Sequence, residues 1–211
     1  MSAPAESAAK LGDGPAGIPQ PVLVRGTGLL GTSIGIGLSS AGVDVRLHDP
    51  SPAALAVAAD IRAGRPARLD AEGDDLDAAP GLVVVAAPPD VTADVVVDSL
   101  RRWPAAVVVD IASVKEAVAA GVRAAVDEAR LAPQDADRYL GTHPMAGSER
   151  SGPVAARGTL FTQAPWVLCP TDTTHPGALA AGRALALTLQ ATPYRMAARA
   201  HDESVALISH L

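Results

Sequence analysis

Two short stretches hold residue types that can do chemistry. The first is "GTHPMAGSERSG", residues 141–152, with a histidine, a serine, a glutamate and an arginine set among three glycines and a proline. No apolar period runs through it, so it does not read as an ordinary helix or strand. Its imidazole, His143, belongs to the side chain that exchanges a proton nearest neutral pH. The second stretch is "RGTGLLG", in which Gly26, Gly28 and Gly31 fit G-x-G-x-x-G. Gly26 permits a tight turn, Gly28 lets a pyrophosphate approach the backbone, and Gly31 lets the next helix lie close to the strand. The amides at the helix start, from Leu29 and Leu30 onward, and the helix dipole then hold the anion. Asp49 stands 18 residues after Gly31. An acid at that place binds the adenosine ribose hydroxyls and repels a 2′-phosphate, which predicts NAD rather than NADP.

These residues need elements to position them. Residues 21–25 form a short apolar run. Leu30, Ile34, Leu38 and Ala41 then mark a helix face, Gly42 stops it, and residues 43–48 read as a second strand ending at Asp49. Residues 51–61 predict a helix with Ser51 as N-cap and Pro52 at its first position. Residues 64–80 are a polar, acidic connector in which Arg68-Leu69 suggests a short strand. "LVVVAAPPD" (residues 82–90) and "AAVVVDIAS" (residues 105–113) are buried strands, followed by helices over residues 91–102 and 114–131. Ala87 and Pro88, at the end of the first, join the expected cofactor contacts. Further on, "YLGTHPM", "WVLCP" and "ATPYRMA" read as strands, and residues 176–190 as a helix. Unbroken valine runs indicate parallel strands covered on both faces. Alternating strands and helices imply an α/β fold, a Rossmann-type doubly wound, mostly parallel sheet.

Composition narrows the functional classes. About half of the 211 residues are apolar (48%), mostly small aliphatics, and the formal net charge is −6. With no basic run, nucleic acid is not expected as a partner. No apolar run approaches the ~20 residues that cross a bilayer, so no membrane partner is expected and a cytoplasmic, soluble protein is the default. Cys169 is the only cysteine, which excludes an intrachain disulfide. No group of Cys, His and carboxylates has metal spacing, so no metal is expected. Residues 1–20 are rich in Ala, Gly and Pro and read as a disordered leader. The end, "HDESVALISHL", starts a helix and stops inside its apolar stripe.

"DIASVK", "THPMAGSERSG" and "LISHL", all downstream of the glycine turn, resemble the prephenate dehydrogenase family of tyrosine biosynthesis and its arogenate-using relatives. The resemblance covers residues 21–211. It implies a dinucleotide-binding domain over residues 21–198, with residues 199–211 as the first helix of a C-terminal helical dimerisation domain. It also implies a homodimer for a complete family member and an arginine from the helical domain on a substrate carboxylate. The implied reaction is NAD-dependent oxidative decarboxylation of prephenate to 4-hydroxyphenylpyruvate. Arogenate as the substrate, or a truncated chain that binds NAD without catalysis, are the alternatives.

The same resemblance assigns roles. His143 matches the family base that takes the proton of the substrate hydroxyl. Ser113 matches the serine that hydrogen-bonds base and substrate, although a helix N-cap before Val114 competes. Glu149 matches a glutamate lining the pocket, although an ion pair with Arg150 competes. Arg150 is also a candidate for holding a substrate carboxylate from within this chain. His210 matches the first histidine of the family's S-H-L-P-H string. Lys115 reads equally as a solvated first-turn lysine or as an anion contact. Arg25 and His48 read as structural, His175 as a solvent-facing loop residue, and His201 as helix N-terminal structure.

Overall fold

The computed structural model describes residues 9–10, 17–70, 73–146 and 152–208. Strands and helices alternate as follows. β1 (Ala9–Lys10) and β2 (Val22–Arg25) precede α1 (Leu29–Ser40), β3 (Val45–His48) and α2 (Pro52–Asp60). The short strands β4 (Arg65–Pro66), β5 (Leu69–Asp70) and β6 (Gly73–Asp74) come next, then β7 (Leu82–Val85), α3 (Thr92–Arg102), β8 (Val107–Asp110) and α4 (Glu116–Asp127). The chain continues through α5 (Pro133–Ala136), β9 (Tyr139–Pro144), a 3₁₀ turn (Pro153–Ala155), β10 (Pro165–Cys169), α6 (Pro176–Thr188), β11 (Thr192–Arg195) and α7 (Ala198–Ile208).

One sheet has the order β1-β11-β10-β9-β8-β7-β2-β3-β4. From β9 to β4 every neighbouring pair is parallel. β10 runs antiparallel to β9, and β1 antiparallel to β11. The valine runs are buried on both faces, and their two-residue period divides them between two cores. Val22, Val24, Leu82, Val84 and Val109 pack with Ile34 and Leu38 of α1 and Leu185 of α6. Leu23, Val83, Val85 and Val108 pack with Val96 and Leu100 of α3 and Val122 of α4. Each such side chain contributes about 1.5–3 kcal/mol on full burial, so the two layers clamp the strands from both sides.

The chain leaves β2 outward through β3 and β4, then returns to the other side of β2 at β7. The order therefore reverses between β2 and β7, and open α/β sheets place ligands at the carboxyl ends of the strands at such a point.

Several elements differ from the sequence-based expectation. The leader is not wholly without structure: Ala9–Lys10 pairs with β11, Ile18 packs on the core, and the Gln20 side chain accepts the Asp44 amide at 2.9 Å. These contacts lie on strands far along the chain, so no local pattern announces them. α4 begins at Glu116, not at residue 114, because its first amides find a carboxylate from α7 and not the Ser113 hydroxyl. Arg25 is structural as expected: its guanidinium donates to Asp98 (2.6 Å) and Ser99 Oγ (2.8 Å) and lies over the Trp103 ring. Ser51 caps α2 by accepting the Ala54 amide, with Pro52 at the helix start.

Candidate active site

The glycine turn joins β2 to α1 at the reversal point. Gly26 has φ +109°, and a Cβ there would sit 2.4 Å from the Ala86 carbonyl oxygen at the end of β7. Only glycine fits both the conformation and the approach. A Cβ on Gly31 would meet the Gly26 carbonyl oxygen at 2.0 Å, so α1 starts directly against the turn. At Gly28 nothing lies within 4 Å of a built Cβ, which leaves open space over the turn. The Thr32 amide makes the first bond of the α1 ladder, to Gly28 O at 3.0 Å. The amides of Leu29, Leu30 and Gly31 precede it and remain donors at the helix N-terminus. Open space, free donors and the positive end of a helix suit a pyrophosphate.

Asp49 follows β3 and reaches the same turn. Its Oδ2 accepts the Thr27 amide (2.6 Å) and hydroxyl (2.8 Å), and Oδ1 accepts the Ser51 amide (2.8 Å). The carboxylate is thereby fixed beside the glycine turn with lone pairs to spare. Ala87 and Pro88 follow β7 on the other side; their carbonyls accept the Thr92 hydroxyl at 3.1 and 2.8 Å, which opens α3. His48 faces Ala67 O at 3.3 Å, and burial lowers its pKa from 6.5, in keeping with a structural place.

β8 and β9 carry the second half of the site. They are parallel neighbours, with Asp110 opposite Gly141. Ser113 therefore follows the carboxyl end of one strand, and His143 lies near the carboxyl end of the other. Ser113 is exposed, and among the described residues its hydroxyl has no hydrogen-bond partner. His143 is half-buried, and its Nδ1 lies 2.9 Å from Nε2 of His201. Burial, then the neighbouring His201 and the Lys115 ammonium, push its pKa down from 6.5 to about 4. The ring is thus neutral at physiological pH, the state a proton acceptor needs.

Lys115 is not a solvated first-turn lysine. It is 1% exposed, pairs with the wholly buried Asp110, and donates to Thr142 O at 2.6 Å. Asp110 also accepts the Ala112 amide (2.9 Å) and the Tyr139 hydroxyl (2.8 Å). Burial, then the Asp110 charge, hold the Tyr139 phenol well above 10. This arrangement clamps the peptide before His143 to the end of β8. His201 is likewise more than helix N-terminal structure: it is 1% exposed and sits between His143 and Asp202, with Nδ1 2.7 Å from Asp202 Oδ1. His175 is exposed, as expected, and also caps α6 by accepting the Gly177 amide at 3.0 Å. Asp110, Tyr139, His201 and Asp202 were not singled out as site residues in the sequence. The one signal for Asp110 was a charge at the end of a valine run. Glu149, Arg150 and His210 lie outside the described residues.

Among the described residues, no helix is long and apolar enough to cross a membrane, and no group of three His, Cys, Asp or Glu side chains has metal-binding geometry.

Known proteins resemble this chain in sequence and in fold. A curated protein of Streptomyces niveus, "Probable prephenate dehydrogenase NovF", is 37% identical over 185 residues, 88% of this chain and 47% of that protein. The chain thus spans about half the length of that relative. The crystal structure of Synechocystis arogenate dehydrogenase superposes with a TM-score of 0.73 at 27% identity, covering 90% of this chain and 64% of the other. Prephenate dehydrogenase from Aquifex aeolicus, solved with hydroxyphenyl propionate and NAD+, has the same fold, with a TM-score of 0.77 at 23% identity over 90% of this chain and 64% of that one. The family model for "Prephenate dehydrogenase, nucleotide-binding domain" matches residues 36–192, and the chain belongs to that family.

Proposed function

We propose that this chain binds NAD at the reversal between β2 and β7 and serves the oxidative decarboxylation of prephenate to 4-hydroxyphenylpyruvate. The observation that carries the reading is His143, kept neutral at the end of β9, along the strand edge that holds the glycine turn. The residues present fit the cofactor: Gly28 leaves room over the turn, Leu29, Leu30 and Gly31 present amides, and Asp49 offers a carboxylate to the ribose. An anion at Asp49 opposes a 2′-phosphate, which favours NAD over NADP. When bound, the nicotinamide supplies the hydride acceptor. His143 takes the proton of the substrate hydroxyl, and Ser113, exposed at the end of the neighbouring strand, hydrogen-bonds that hydroxyl. As the hydroxyl proton passes to His143, a hydride leaves the same ring carbon and a carbonyl develops there; the ring carboxylate then leaves as carbon dioxide, its bonding pair makes the ring aromatic, and the oxygen regains a proton.

Arogenate is the second reading, supported by the 27% identity to an arogenate dehydrogenase over most of this chain. The two substrates differ in the side chain and not at the reacting hydroxyl, so the same base serves both. Steady-state assays with prephenate and with arogenate, each with NAD and NADP, test the proposal. Turnover that His143→Asn lowers ~100- to 10,000-fold, with nucleotide affinity unchanged, supports the base. Turnover of either substrate that His143→Asn leaves unchanged overturns the catalytic reading of His143.

A further inference from the structure

The hydrogen bonds behind His143 run in one direction. They start at the Asp202 carboxylate on α7. Its Oδ1 accepts the Lys115 amide at 2.8 Å and its Oδ2 the Glu116 amide at 2.9 Å, so it closes the N-terminus of α4. Burial works against its ionised form, but the amides of Glu116 and Lys115 and the His201 ring outweigh that and hold its pKa below the ordinary value. An ionised carboxylate only accepts. The His201 nitrogen 2.7 Å away, Nδ1, therefore carries a hydrogen. In a neutral imidazole the other nitrogen is then an acceptor. That nitrogen, Nε2, faces His143 Nδ1 at 2.9 Å, with the two rings edge to face at 81°. The arrangement needs a hydrogen on His143 Nδ1 and leaves the lone pair on His143 Nε2. Hydrogens on both His201 nitrogens would reverse the last bond and make His143 Nδ1 the acceptor.

We propose that His201 and Asp202 are positioning residues. Their hydrogen bonds hold His143 in the tautomer protonated on Nδ1, so that Nε2 is presented as the proton acceptor. The catalytic consequence rests on His143 being the base of the proposed reaction; the tautomer itself does not. Which nitrogen bears the proton is commonly set by the bond the other makes. Here that bond comes from α7, 58 residues further along the chain. The backbone of the base is fixed separately, through the Lys115 bond to Thr142 O. Ring and peptide are thus held by different elements, and both lines of contact pass through the first turn of α4.

Long-range ¹H–¹⁵N correlation spectra of the ¹⁵N-histidine-labelled chain at neutral pH read the tautomer directly, without turnover. The expected result is a protonated Nδ1 and an unprotonated Nε2 on His143, with the same pattern on His201. In His201→Phe, which fills the space but cannot accept, the His143 proton should move largely to Nε2. A wild-type spectrum with His143 protonated on Nε2, or with both His201 nitrogens protonated, overturns the proposal, as does an unchanged tautomer in folded His201→Phe. The wild-type spectrum decides even if the variant does not fold. In an active enzyme, His201→Phe should lower kcat from about 10-fold up to the ~10⁴-fold that a wrongly presented tautomer costs, leaving nucleotide Kd unchanged. The expected tautomer together with turnover that His143→Asn leaves unchanged overturns the proposed base and supports the positioning bonds. Turnover that depends on His143 with the opposite tautomer overturns the positioning proposal alone.

Discussion

The Oδ2 atom of Asp49 accepts both the amide (2.6 Å) and the hydroxyl (2.8 Å) of Thr27, so the acid after β3 is fastened to the glycine turn after β2. On the proposed reading, a carboxylate held this way would meet the adenosine ribose without reorganising. NAD is therefore expected to bind at least about tenfold more tightly than NADP, a difference of ~1.4 kcal/mol. Nucleotide titration by fluorescence checks it. In Asp49→Ser the preference should shrink or reverse; equal affinities in the wild type mean that Asp49 does not face the ribose.

Two glycines of the turn should behave oppositely. Gly26→Ala forces a Cβ against the Ala86 carbonyl at a positive φ and should cost about 2–4 kcal/mol in urea denaturation. Gly28→Ala adds a methyl group in open space at φ −68°. It should leave stability within about 0.5 kcal/mol while weakening nucleotide binding at least tenfold. A Gly28→Ala chain that binds the nucleotide as well as wild type would show that the pyrophosphate does not pass over Gly28.

Lys115 and Asp110 form a buried pair. Lys115→Met leaves the carboxylate with only the Ala112 amide and the Tyr139 hydroxyl. Breaking such a pair on one side costs about 3–5 kcal/mol, read as a lower urea midpoint at unchanged m-value. A change below about 0.5 kcal/mol would fit a solvated lysine and contradict the burial described above.

The two candidate caps of α4 separate cleanly. Asp202→Ala removes the acceptor for two first-turn amides and should cost about 1–2 kcal/mol. Ser113→Ala should change stability by less than about 0.5 kcal/mol, since its exposed hydroxyl does not cap the helix. Comparable losses from both would restore Ser113 as a cap.

His143 gives a pH signature. Its folded-state pKa of about 4 lies below the ordinary 6.5. Between those values the unfolded chain binds the proton and the folded chain does not. Its contribution to stability is therefore fully present above about pH 6.5, declines as pH falls to about 4, and levels off below. Titration of the His143 Hε1 resonance should show a midpoint near 4, and the stability difference between wild type and His143→Asn should narrow as pH falls through that window. A midpoint near 6.5 contradicts the buried, cation-flanked setting of the ring.

The sequence by itself determined what short windows encode. The runs of three valines at 83–85 and 107–109, set between turn signals, marked two central strands, whereas the same run at 95–97, flanked by Asp94 and Asp98, lies in α3. Ser51-Pro52 marked the start of α2, and the spacing of Gly26, Gly28, Gly31 and Asp49 located the turn and its acid, because each of these depends on neighbours within a few residues or one strand–helix–strand unit. His143 stood out for the same reason, inside a stretch with no packing period. What surrounds it was decided by tertiary structure. Lys115 reads equally as a solvated lysine or an anion contact because its burial depends on Asp110 and Thr142 O closing around its ammonium, and the turn between β8 and α4 has no fixed geometry to foretell that. The cap of α4 comes from Asp202, 86 residues beyond Glu116, and the partner of His143 comes from His201, 58 residues on. Such bonds are set by which faces the packed layers bring together. Hydrogen bonding is short-ranged and directional, so a local pattern names the groups able to bond but only the packed chain selects their partners.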